Sequence, residues 1–79
     1  MKNKNIEILQ EIMVSVLDLE GNIEFSDLQQ IDVSKWDSLA IVNLVVAVES
    51  DLGVKINNDE FVNFISYQNI VSILDEKGL

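Results

Sequence analysis

Residues 36–53 read WDSLAIVNLVVAVESDLG, and whether this stretch forms a helix or a strand decides the architecture of the chain. Ile41, Leu44, Val45, Val48 and Leu52 recur at the i, i+3, i+4, i+7, i+11 spacing of one continuous helical stripe. The β-branched residues would also suit a strand, but period-two alternation is absent and the run is too long for a single strand. The spacing predicts a helix from about Ser38 to Asp51, closed by Gly53. Leu39, Val42 and Val46 form a second apolar stripe rotated away from the first. A helix in so small a bundle is not readily covered on all sides, so this second stripe is expected to reach solvent and meet a partner.

Upstream, Ile6, Leu9, Met13, Val16 and Leu17 stand at helical spacing among Glu7, Gln10 and Glu11, which predicts an amphipathic helix over 5–18. Its stop is expected at EGN, residues 20–22, where Gly and Asn tolerate left-handed backbone. The loop from there to Asp37 is long for a compact domain. Within it, Ser26 and Gln29 have capping-box spacing for a single turn, and Phe25, Leu28, Ile31 and Val33 are its expected apolar anchors. Downstream, Asn57 and Glu60 open a short third helix with Phe61, Phe64 and Ile65 on its apolar face. Ser66 then caps a fourth, with Tyr67, Ile70, Val71 and Leu74 on one face and Gly78 at its end. The expected fold is all-α: a four-helix bundle with a long loop between helices 1 and 2 and a short third helix.

The chain has 79 residues, which fits one domain spanning 1–79 with a small core. Fourteen acidic against five basic residues give a net charge of −9, which repels nucleic acid and anionic lipid and attracts basic protein surfaces. There is no Cys, hence no disulfide framework and no thiolate metal site, and the expected compartment is the cytoplasm. The longest apolar run, residues 39–48, contains Asn43 and is far short of the roughly 20 residues that span a bilayer. The N-terminus lacks the apolar segment of a secretory signal.

Ser38 opens the central helix with Asp37 in front of it. Either residue could simply cap the helix, since each carries an oxygen that can accept from an unpaired N–H. A serine nucleophile needs a neighbouring base, but the chain has no His, and its nearest Lys, Lys35, lies in the loop. No glycine-rich phosphate loop or metal-ligand cluster is present, so activity as an enzyme is not expected. A helix N-terminus does favour an anion, which suits Ser38 as the acceptor of a phosphate ester if another enzyme supplies the base. Asp37 could cap the helix or present an oxygen to that enzyme. Residues 18–29, DLEGNIEFSDLQ, superficially suggest a calcium loop, but Ile23 replaces the sixth-position Gly and Gln29 the twelfth-position Glu.

These features together resemble the acyl carrier protein family: an N-terminal amphipathic helix, a long loop, D-S-L opening an apolar second helix, then LGVKI and two further helices. The WDSLA form resembles discrete carriers of polyketide-like, peptide-like or surface-glycan assembly more than the fatty-acid carrier. The resemblance implies that Ser38 receives 4′-phosphopantetheine from coenzyme A through a magnesium-dependent phosphopantetheinyl transferase. The arm's thiol would then hold acyl or aminoacyl groups as thioesters for loading and transferring enzymes of a biosynthetic pathway. It also implies a monomer with an acyl-sheltering interior at Ile41, Val45, Val48, Leu52, Ile56 and Phe61. Fatty-acid carriers usually show acidic residues on the exposed face of the second helix, where this chain has Ala40 and Asn43; acid returns at Glu49 and Asp51. Partner contact is therefore expected through Leu39, Val42 and Val46, with Asp37 and Glu49 as charged flanks. The alternative is an unmodified acidic helical interaction module, which needs Ser38 only as a cap.

Overall fold

Ser38–Leu52 is helical, as the stripe spacing requires, in a computed structural model that describes residues 1–79. Four helices make up the fold: α1 (Asn3–Leu17), α2 (Ser38–Leu52), α3 (Asn58–Phe61) and α4 (Tyr67–Glu76). The long loop between α1 and α2 holds two 3₁₀ turns, Phe25–Asp27 and Gln30–Asp32. No strand forms beyond one isolated antiparallel bridge, Gln29 to Ser66. No helix is long and apolar enough to cross a membrane.

The core lies between α1 and α2 and is closed by α4 and the loop. Ile41, Leu44, Val45 and Val48 of α2 meet Leu9, Ile12, Met13 and Leu17 of α1, with Ile70 and Leu74 from α4. No polar or charged residue is buried. Ile12 thus joins the predicted face of α1, while Ile6 and Val16 are only half-buried.

Helix α1 ends earlier than the EGN signal predicts. Asp18 takes the left-handed conformation at φ 53°, with its N–H on the Val14 carbonyl. Aspartate is one of the few side-chain-bearing residues that visits this region routinely. Its carboxylate is also held by Lys35, whose hydrogen bond and charge pull the Asp18 carboxyl below its ordinary pKa, while the Lys35 ammonium is raised above its own.

The loop departs from expectation in three ways. Ser26 does not cap the first 3₁₀ turn; its hydroxyl donates to the Glu24 carboxylate at 3.3 Å. Ile31 does not anchor the loop: it is 89% exposed, because the second 3₁₀ turn points it outward. The anchor that periodicity does not reveal is Trp36, 2% exposed, whose indole N–H donates to the Phe64 carbonyl at 3.1 Å. Phe25, Leu28 and Val33 do pack against the core. Backbone bonds from Gln30 N–H to the Ile65 carbonyl (2.8 Å) and from Tyr67 N–H to the Leu28 carbonyl (3.1 Å) fasten the loop to the connection between α3 and α4.

The capping box of α3 forms as expected: Asn57 Oδ1 accepts from Glu60 N–H at 2.9 Å, and Glu60 Oε1 accepts from Asn57 N–H at 3.0 Å. The helix is only four residues long, so Phe64 and Ile65 lie past its end; Phe64 is fully buried and Ile65 is 39% exposed. Ser66 caps α4 as expected, its Oγ accepting from Asn69 N–H at 3.0 Å.

The Asn57 N–H, and secondarily Lys77 at 2.9 Å, hold the Glu60 carboxyl below its ordinary pKa. A carboxyl depressed in the folded state contributes stability above its unfolded pKa and loses that contribution as pH falls through the folded value. Glu60→Gln keeps an acceptor for Asn57 but loses the charge. Urea melts should therefore show wild type more stable than Glu60→Gln at neutral pH, with the gap closing as the solution is acidified below the ordinary carboxylate range. A gap that persists unchanged in acid would mean that ionisation of Glu60 contributes nothing.

Candidate functional site at the N-terminus of α2

The first N–H groups of any helix lack an intrahelical partner, and at α2 their satisfaction divides the roles of Asp37 and Ser38. Asp37 is the cap: its backbone is extended and its Oδ1 accepts from Ala40 N–H at 2.9 Å. Its carbonyl takes the first helical bond, from Ile41 N–H at 3.0 Å. Ser38 is consequently the first residue of the helix proper. It is exposed, its hydroxyl is released from capping, and the N–H groups of Ser38 and Leu39 remain free beside it.

Ser66 is the internal contrast. It too stands at a helix start, but it is partly buried and its hydroxyl is committed to Asn69 N–H. One helix-opening serine therefore has a structural duty and the other has none.

Trp36 positions this end of α2. Two residues ahead of Ser38, it is sunk into the core and tied to the Phe64 carbonyl, which fixes where the chain enters the helix. Helical spacing does not reveal it, because Trp36 lies in an irregular loop with no repeating period; its adjacency to D-S-L is the one signal the sequence offers.

The exposed stripe of α2 is Leu39 (68%), Val42 (42%) and Val46 (58%). Ala40 does not share that face: it is buried at 5%, because a position two residues along a helix is turned by about 200°. Asn43 is exposed. Glu49 is half-buried and one carboxylate oxygen accepts from Ile56 N–H at 2.9 Å, so it clamps the segment that follows Gly53. Both acids flanking the stripe thus hold backbone N–H groups of the chain itself.

Ile41, Val45 and Val48 are buried in the core, and Leu52, Ile56 and Phe61 pack partly buried against it. All six belong to or pack against the same apolar cluster. The well-formed surface depressions lie elsewhere. One of about 390 Å³ lies between the loop and α4, lined by Ser26, Gln29, Ser66 and Gln68 among others, and a smaller one runs between α1 and α2 near Ala47 and Asp51. No group of three or more acidic side chains is placed to hold a metal ion.

Comparison with known proteins converges on one family. The chain is 33% identical to the acyl carrier protein of Petrotoga mobilis over 76 residues, covering 96% of this chain and 89% of that protein. It is 30% identical over 77 residues to the acyl carrier protein of Buchnera aphidicola subsp. Acyrthosiphon pisum, covering 96% of each. No family model matches the chain, and no solved structure matches it. With identity at this level along nearly its whole length, and with an all-helical fold that leaves a serine free at the head of its central helix, the chain belongs to the acyl carrier protein family and is a carrier rather than an enzyme.

Proposed function

We propose that residues 1–79 act as a single carrier unit in the cytoplasm. In this reading Ser38 accepts 4′-phosphopantetheine from coenzyme A through a phosphopantetheinyl transferase, and the loaded protein serves enzymes of a biosynthetic pathway. When bound, the arm supplies a thiol that carries acyl, or aminoacyl, groups as thioesters. The observation that carries the reading is the division of labour at α2: Asp37 caps, and Ser38 stays exposed with no structural task. The residues fit the group. A primary hydroxyl beside the free N–H groups of Ser38 and Leu39, at the positive end of a helix, is a favourable seat for a phosphodiester.

During attachment Ser38 Oγ forms the new P–O bond as the anhydride bond of coenzyme A breaks and the nucleotide half leaves. The hydroxyl proton passes to a base on the transferase, since this chain has no His and its nearest Lys, Lys35, is paired with Asp18. Incubation of the protein with coenzyme A, Mg²⁺ and a promiscuous transferase, followed by intact mass measurement and peptide mapping, is the direct test. A gain of one phosphopantetheine on the peptide containing Ser38 is expected; an unchanged mass would leave the unmodified interaction module as the correct description.

The exposure of Leu39, Val42 and Val46 beside Ser38 supports their role in partner contact. Val46→Glu puts a charge in that contact while leaving the core alone. It should raise the KM for loading by about tenfold or more, the scale of losing one buried apolar side chain and desolvating a carboxylate in its place. Helicity by circular dichroism should not change. Equal loading of the variant would remove the stripe from the interface.

A further inference from the structure

Two surface depressions adjoin on the solvent side of α1. The first, of about 430 Å³, lies toward the first 3₁₀ turn and is lined by Glu7, Glu11, Val14 and Phe25 among others. The second, of about 230 Å³, lies toward α2 and is lined by Ile8, Glu11, Ala47 and Asp51 among others. Glu11 and Ser15 line both, so they form the ridge between the two. Contacts with α4 fix the wall of the first. Gln10 Nε2 donates to the Tyr67 hydroxyl at 3.2 Å, and the Phe25 ring packs against the Tyr67 ring with centroids 5.6 Å apart, which seats Phe25 beside α1.

The acids on this face sit where the fold disfavours them. Glu7 and Glu11 are exposed and one turn apart on α1, a like-charge spacing that destabilises a helix. Asp51 stands in the last turn of α2, at the negative end of the helix dipole, with no basic residue in that turn. None of the three has an ion-pair partner, since the pairs of this protein go to Asp18, Glu60 and Asp75. Cations arriving from outside would relieve both unfavourable placements. Val14, 37% exposed, and the half-buried Ile8, Phe25 and Ala47 would meanwhile receive apolar side chains. A second copy of this chain, with its net charge of −9, cannot supply the cations, and nucleic acid and anionic lipid are repelled for the same reason.

We propose that this face of α1 is a second docking site, taking an amphipathic helix of a partner protein whose apolar stripe is edged by Arg or Lys. Helices pack by setting rows of side chains into the grooves beside a ridge, and α1 offers a groove on either side of Glu11 and Ser15. Along α2, Ala47 and Asp51 stand about 14 and about 20 Å from Ser38 by the rise of the helix. A helix docked there holds the protein while leaving the serine open to another enzyme. The site goes beyond the carrier reading and does not depend on which residue is modified.

The test titrates the isotope-labelled full chain, at low salt, with a synthetic helical peptide of about 18 residues bearing Leu on one face and Arg along both edges. Backbone amide shifts should concentrate at Glu7–Ser15, Phe25 and Ala47–Asp51. Glu7→Gln/Glu11→Gln removes a repulsion within α1, so it should fold as well as wild type, and it should weaken binding about fivefold, the scale of two surface ion pairs. Asp32→Asn/Asp59→Asn removes the same charge from exposed positions outside both depressions and should stay within about twofold of wild type. A peptide with Gln in place of Leu should bind at least about tenfold more weakly. The proposal is overturned if the shifts spread over the acidic surface or centre on Leu39, Val42 and Val46, or if the two variants weaken binding equally. It is also overturned if the Gln peptide binds as well as the Leu peptide, because charge alone would then suffice. None of these readings involves coenzyme A, so their failure is distinct from a failure of Ser38 to load.

Discussion

Ser38→Ala should take up no phosphopantetheine and lose no stability, and the combination is what makes the result informative. Removing a capping side chain from a helix typically costs about 1 kcal/mol, within a range of roughly 0.5–2. At α2 that cost belongs to Asp37, whose carboxylate holds Ala40 N–H, so Ser38→Ala should unfold within about 0.5 kcal/mol of wild type. Ser66→Ala should behave in the reverse way. Its hydroxyl holds Asn69 N–H, so the change should cost about 1 kcal/mol in a urea melt and leave loading intact. Two serines at helix starts, differing in whether the hydroxyl is already engaged, are thus separated by a mass measurement and a denaturation curve. Persistent loading of Ser38→Ala would place the modification on another hydroxyl and end the assignment.

The features of the fold that follow local rules are legible in the sequence. The stripe of α2, the Asn57–Glu60 box, the Ser66 cap and the Gly53 stop all link residues within a few turns of one another. What is not legible depends on residues far apart in the chain. Asp18 ends α1 in a conformation that glycine would take more easily, and its carboxylate is paired with Lys35, seventeen positions away. Ile31 has the composition of an anchor, but its turn is oriented by a backbone bond between Gln30 and Ile65 that no pattern announces. The same holds at the site. D-S-L locates the serine, but two oxygens compete to cap α2, and only the geometry assigns that duty to Asp37. Glu49 reads as a recognition charge at the end of an apolar stripe, and only the geometry shows that one of its carboxylate oxygens also accepts from Ile56 N–H.

Trp36→Ala should leave the protein largely unfolded at physiological temperature. Truncating a buried aromatic to Ala costs about 3–5 kcal/mol. A chain of this size has roughly 4–12 kcal/mol in total, and small single cores tend to the lower part of that range. Trp36 is 2% exposed, so nearly all of its area is lost from the core, and the Phe64 carbonyl loses its donor as well. Trp36→Phe separates the two contributions. It retains most of the apolar volume and removes only the N–H, so its cost should fall to about 1–3 kcal/mol, the penalty of one unpaired buried acceptor plus a small void. Because Trp36 is the only tryptophan, the comparison should be read by far-ultraviolet circular dichroism in urea rather than by fluorescence. If Trp36→Ala melts within about 1 kcal/mol of wild type, the indole is not what holds the loop to the α3–α4 connection, since a loss so small is ordinary for a surface position. Ser38 would then need another support, because the bond from Trp36 to Phe64 is the contact that fixes the entry to α2 two residues before it.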